Sequence, residues 1–199
     1  MKVKFTIPEG MHDISLEKYR KVNAIISNET SDTAKFTKVI SLLCDVHQNH
    51  VLRLTTNQFE ELRQDLNWLF EPNMKHELVP TFTLDKVEYG FIPNLSDLSV
   101  GEFADLDTLT SKGNANDNLE EIMAILYRPI TNKWREFYTI ERYDPQPHHK
   151  EIMKAMPMNV ALGALVFFWS IAEELAKGSA PYLEVQELQT LSLKNGGGM

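Results

Sequence analysis

Apolar positions repeat with a helical period through most of the first third of the chain. Ser15 precedes the first helical segment, and Thr55 or Thr56 precedes the third. Each is expected to act as an N-cap, because a hydroxyl oxygen accepts a hydrogen bond from a first-turn backbone N–H. Ahead of these segments, residues 2–7 alternate polar and apolar side chains, which predicts a strand. The helical spacing itself predicts three amphipathic helices, over residues 15–26, 32–46 and 55–71.

The pattern changes after residue 75, where short alternating runs replace the helical period. ELVPTFTL and KVEYGFI are separated by Asp85 and predict two strands. Ser99 is placed to cap the helical segment that follows, and Pro129 is expected to end the next one. Further along, the pattern predicts helices over 99–110 and 119–127, an exposed polar loop over 111–118, and a strand over 134–143.

The most apolar segment of the chain follows Pro157 and contains VALGALVFFWSIA. The stretch of about 15 residues from Met158 to Ala172 is shorter than the roughly 20 that cross a bilayer, and charged residues follow it at once. We therefore expect a buried core helix that ends near Lys177, and no membrane partner.

Together these elements predict an α+β fold: a mostly helical single domain with a small, largely antiparallel sheet. The predicted domain covers residues 1–180, and residues 181–199 are expected to form a C-terminal helix and a flexible tail. A chain of 199 residues with 43% hydrophobic side chains is long enough to bury one substantial core.

Charge and cysteine content narrow the classes of partner. The net charge of −8 and the lack of a basic stripe argue against a nucleic-acid partner, since affinity for phosphate backbones comes from clustered Lys and Arg. Cys44 is the one cysteine, so an intramolecular disulfide is excluded and a reducing compartment is favoured. The N-terminus lacks the apolar centre of a signal peptide.

Motifs that carry enzymatic chemistry are missing from the sequence. It contains no GxSxG, GxxxxGK[ST] or HExxH, which argues against nucleophile-elbow hydrolases, phosphate-loop enzymes and zinc proteases. The pairs His47/His50 and His148/His149 are interpreted as surface histidines, because a metal site needs three or four convergent ligands. We therefore expect a protein that is not an enzyme, with no catalytic residues, cofactor or metal.

One arrangement in the sequence, Arg128 together with a group of acidic residues, is compatible with a ligand site. Arg128 lies between an apolar run and a proline, where a charge is expected to pair with a carboxylate or with helix-end carbonyls. A deep pocket that joined it to the acidic group would instead indicate a small enzyme or a host-directed regulator. The acidic group consists of Asp97, Glu102, Asp105 and Asp107.

Three segments resemble a group of small proteins from tailed bacteriophages, the tail assembly chaperones: YGFIPNLSDLSVGEFADLDTL, IMAILYRPI and MKAMPMNVALGALVFFW. The resemblance covers roughly residues 86–175, and the first 85 residues depart from it. It implies a non-enzymatic protein of phage morphogenesis, acting in the cytoplasm of the bacterial host, that binds the tape measure or tail tube protein. It also implies a longer frameshifted form, for which Lys194-Asn195 is a candidate slippery site.

The alternative is a virion structural component, such as a head-tail connector or capsid-associated protein. Both kinds of protein are compatible with a homo-oligomer. Partner docking is expected to involve the apolar residues of the C-terminal segment, because an exposed apolar face favours protein contacts. These residues are Tyr182, Leu183, Val185, Leu188 and Leu191.

Overall fold

The computed structural model describes residues 4–70, 76–94, 98–111, 115–144 and 147–170. The chain divides into two compact units, residues 1–164 and residues 165–199. The described part of the second unit, residues 165–170, is helical. The predicted α+β class, mostly helical with a small antiparallel sheet, is confirmed.

Helices and strands follow one another along the chain, and two of the helices begin at N-caps that the sequence predicts. The caps agree with the sequence: the Ser15 hydroxyl accepts a hydrogen bond from the Lys18 N–H, and Thr55 forms a capping box with Gln58. The elements are α1 (Leu16–Asn28), α2 (Asp32–Leu43), α3 (Gln48–Val51), α4 (Thr56–Asp65), β1 (Thr81–Leu84), β2 (Val87–Phe91), α5 (Val100–Ser111), α6 (Leu119–Leu126), β3 (Tyr127–Trp134), β4 (Phe137–Ile140), α7 (Pro147–Met153) and α8 (158–170).

The four strands form an antiparallel sheet in the order β1-β2-β3-β4. Gly90 in β2 allows the Tyr138 ring of β4 to lie across the sheet, because a Cβ at residue 90 would be 2.4 Å from Cε2 of that ring. The Tyr138 hydroxyl donates a hydrogen bond to the Phe91 carbonyl at 2.8 Å. β2 and β4 are thus joined directly, across the strand between them.

The core beneath the sheet is aromatic. Tyr127 is buried, its ring meets those of Phe82 and Phe91 edge to face, and its hydroxyl donates to the Val79 carbonyl at 2.7 Å. The helices contribute an aliphatic core. Its fully buried members include Leu16, Val22, Val39, Ile40, Leu106, Leu119, Ile122, Met123, Met156 and Met158.

A backbone bridge joins the start of α1 to the start of α8. The Leu16 N–H donates to the Met156 carbonyl at 2.9 Å, and the Met158 N–H donates to the Ile14 carbonyl at 2.9 Å. Two helices far apart in sequence are therefore fixed at their N-terminal ends.

Two strand predictions differ from the structure. The first strand is wrong: Phe5 and Ile7 are half-buried as the alternation requires, but residues 4–7 pair with no strand in the described structure. The strand predicted over 134–143 is also wrong in extent, because residues 135 and 136 form a turn between β3 and β4.

Pro129 does not simply end α6 but lies inside β3. Its carbonyl accepts a hydrogen bond from the Glu141 N–H, which is one residue beyond the end of β4. The N–H that proline lacks therefore falls at the end of the β3–β4 ladder, where its loss costs little. The predicted loop over 111–118 is likewise shorter than expected, because Ala115–Asn118 forms a 3-10 turn.

Candidate protein-binding surface

The apolar residues predicted to bind a partner lie outside the described part of the chain. This applies to all five of them: Tyr182, Leu183, Val185, Leu188 and Leu191. A different exposed surface is visible in the described structure, at the end of the sheet.

The hairpin of β3 and β4 carries exposed aromatic side chains at its end. β3 is buried where it begins, at Tyr127 and Arg128, and is exposed from Thr131 onward. Trp134 and Phe137 are register partners and therefore project from the same face of the hairpin. They are 66% and 74% exposed. We call Trp134, Arg135 and Phe137 the aromatic tip.

Local geometry holds the aromatic tip together. A two-residue turn, Arg135-Glu136, joins the strands, and Arg135 has a positive φ of 55°. The Arg135 guanidinium lies 4.9 Å from the centre of the Trp134 ring, a cation–π contact. One residue back, Lys133 forms an ion pair with Glu88, which ties β3 to the neighbouring strand β2 close to the aromatic tip.

The cross-strand pair has a structural role of its own. Aromatic pairs opposite each other on a hairpin contribute about 0.2–1 kcal/mol. Burial of either ring against another protein contributes more, about 1.5–3 kcal/mol for a large apolar side chain. Trp and Arg are also the residue types that dominate binding energies at protein interfaces. The aromatic tip therefore has the composition of an interface anchor.

The sequence interpretation missed this surface because it placed residues 134–143 in one strand. The signal was present in WREF, where two charged residues separate two aromatic residues by the length of a hairpin turn. Alternation alone does not say which strands extend beyond their neighbours.

The expected pairing of Arg128 is confirmed. Its guanidinium lies 2.6 Å from a carboxylate oxygen of Glu102, and the two side chains are only 8% and 6% exposed. The other carboxylate oxygen accepts a hydrogen bond from the Ser99 N–H at 2.6 Å. Burial raises the pKa of Glu102, but the Ser99 hydrogen bonds and the Arg128 guanidinium outweigh it and hold the pKa below its ordinary value. This is a structural ion pair.

The remaining acidic residues separate in space. Asp105 accepts a hydrogen bond from the Tyr143 hydroxyl, and the ring of Tyr143 lies 5.9 Å from the Arg128 guanidinium carbon. Burial, followed by the contact with Asp105, raises the pKa of Tyr143. Asp107 is exposed on α5, and Asp97 lies outside the described residues.

A cavity of about 430 Å³ lies beside the ion pair, but Arg128 and Glu102 do not line it. Asp105 and Tyr143 do. This cavity therefore does not join Arg128 to the acidic group.

His47 and Cys44 are both accounted for by their local structure. The Nδ1 of His47 accepts a hydrogen bond from the Asn49 N–H and so caps α3. Cys44 is buried, and burial raises the pKa of its thiol to about 11. Within the described ranges, no three His, Cys, Asp or Glu side chains gather as a metal site would require.

No family model matches the chain, and no curated protein or solved structure matches it. Within the described residues, every helix is too short or too polar to span a bilayer.

Proposed function

We propose that this chain is a non-enzymatic protein of bacteriophage morphogenesis, a tail assembly chaperone that binds the tape measure or tail tube protein in the host cytoplasm. The observation that supports this proposal most directly is the aromatic tip. It holds two large apolar side chains in water at the end of a hairpin, with a guanidinium stacked on one of them.

Two further properties support a binding role. The buried charges nearest to the cavity form a structural pair, Arg128 with Glu102. The net charge of −8 favours solubility, which suits a protein that must keep an apolar partner in solution before assembly.

The test is coexpression with the tape measure and tail tube proteins encoded beside its gene, followed by affinity capture of this chain. In the variant W134A/F137A, capture is expected to fall more than tenfold, because interface anchors contribute about 2 kcal/mol or more each. The free energy of unfolding is expected to fall by only about 1 kcal/mol, the value of the cross-strand pair.

The matched control is N132A/T139A, which truncates the register pair two positions further along the same face of the hairpin. This variant is expected to keep full capture. Equal capture by W134A/F137A and wild type would remove the aromatic tip from the binding surface. A parallel truncation of residues 181–199 tests the C-terminal residues predicted from the sequence.

Purified virions distinguish a chaperone from the alternative class. A chaperone is absent from finished particles, whereas a head-tail connector or capsid-associated protein remains in them. Recovery of this chain from mature virions would replace the chaperone proposal by the structural one.

A further inference from the structure

The cavity of about 430 Å³ between α5, α6 and α7 has no role in the binding surface described above. Its volume lies within the range of about 300–1,000 Å³ that is typical of ligand sites. Leu109, Ala124 and Ile125 supply an apolar lining, and Ile125 is only 4% exposed. The cavity therefore offers contact for an aliphatic group.

The charged groups around this lining are mostly acidic. Glu121 is neutralised by an ion pair with Lys150, and Asp105 accepts the hydrogen bond from Tyr143. Asp144 is exposed, and its carboxylate has no ion pair or hydrogen bond in the described part of the chain. The lining also includes His149, and its three carboxylates outnumber the single ammonium group, so with the histidine neutral the lining carries a net negative charge.

Apolar walls combined with unneutralised carboxylates select one kind of ligand. An anion would be repelled, and a purely apolar group would remove the carboxylates from water without compensation. A small metal ion would gain nothing from the apolar lining and needs more convergent oxygen ligands. Lysine and arginine side chains combine an aliphatic stem with a cationic head and satisfy both features.

We propose that this cavity receives a lysine or arginine side chain of the protein partner, an inference that rests on the proposed function. The aliphatic stem lies against Leu109, Ala124 and Ile125. The cationic head meets the carboxylates of Asp144 and Asp105. A basic side chain inserted here gives the partner a second point of attachment, chemically distinct from the aromatic tip.

The cavity is tested first without any partner. Butylguanidinium, an analogue of the arginine side chain, is titrated into the full chain while the methyl signals of Ala124 and Ile125 are followed by NMR. Its neutral isostere butylurea is titrated in parallel. Saturable shifts with butylguanidinium and none with butylurea are expected. Equal responses to both compounds, or no response to either, would overturn the proposal.

Charge variants place the cation within the cavity. Asp144→Asn is expected to weaken butylguanidinium binding about two- to fivefold, the value of one solvated ion pair. Asp144→Lys is expected to abolish it, because the new ammonium group repels the probe. The control Asp107→Asn removes the same charge from an exposed position of α5 that does not line the cavity. It is expected to bind as wild type does.

The partner experiment separates this inference from the proposed function. With the tape measure or tail tube protein coexpressed, Asp144→Lys is expected to reduce capture at least tenfold and Asp107→Lys to leave it unchanged. If butylguanidinium binds but Asp144→Lys captures normally, the cavity takes a small organic cation and not a side chain of the partner, and the inference fails. If wild type captures neither protein, the proposed function fails, while the titration still decides whether the cavity binds the cation.

Discussion

The ion pair between Arg128 and Glu102 gives the sharpest prediction about stability. Glu102→Gln keeps the size of the side chain and its hydrogen bond from the Ser99 N–H, but it removes the charge opposite a buried guanidinium. The Nε of Arg128 already has no partner among the described residues, so the cation has little left to compensate the loss. Breaking a buried pair on one side costs about 3–5 kcal/mol.

Urea denaturation followed by circular dichroism at pH 7 measures this cost. A loss of about 3 kcal/mol corresponds to a melting temperature lower by about 6–12 °C for a chain of this length. Arg128→Met is expected to cost about 3 kcal/mol as well, because it leaves the buried carboxylate without a counter-charge and with its Ser99 hydrogen bonds only. The double variant E102Q/R128M buries no charge, so it should cost far less than the sum, with a coupling above about 2 kcal/mol.

The matched control makes the same chemical change in an exposed pair. Glu60 and Arg63 form an ion pair on the surface of α4, and Glu60→Gln is expected to change the free energy of unfolding by at most about 0.5 kcal/mol. If Glu102→Gln costs no more than Glu60→Gln, or if the two core substitutions are additive, the argument from burial is wrong.

The same pair predicts a dependence on pH. The pKa of Glu102 is lower in the folded protein than its ordinary value of 4.5. Its contribution to stability is therefore complete above about pH 4.5 and is lost as the pH falls through the folded-state pKa. The difference in free energy of unfolding between wild type and Glu102→Gln should shrink in that range. A difference that stayed constant down to pH 2 would contradict the assigned pKa.

Three further predictions concern single residues. Gly163→Ala is expected to cost about 1–3 kcal/mol in urea denaturation, because the new Cβ would lie 2.1 Å from the Glu77 carbonyl oxygen. The control Gly101→Ala would bring its Cβ no closer than 3.9 Å to the Ser99 hydroxyl oxygen, an ordinary van der Waals contact, and should be neutral or stabilising. Lys86→Gly, at a turn position with φ of 68°, is expected to raise the free energy of unfolding by about 1 kcal/mol, and unchanged stability would argue against a left-handed conformation there. Cys44, buried and with a pKa of about 11, should react with a thiol reagent at pH 8 only after unfolding; rapid labelling of the native protein would show that the thiol is accessible.

The sequence by itself determined much of the local structure. Ser15, Thr55 and Ser99 cap helices where the pattern places them, because a cap hydroxyl and the N–H it satisfies lie within one turn of chain. The strands β1 and β2 were also predicted, since two short alternating runs flank Asp85. Helical period and caps are local properties, so they can be read without knowledge of the tertiary fold.

Only the tertiary structure decided the pairings and the exposed surfaces. An apolar flank predicted that Arg128 needs a partner, but packing of α5 against the start of β3 selected Glu102 from several nearby carboxylates. Pro129 is tolerated in β3 because its missing N–H falls beyond the end of β4. The exposure of Trp134 and Phe137 depends on where the neighbouring strands end. An alternating aromatic strand has the same sequence pattern in a core and in water, because burial is a property of what surrounds the strand.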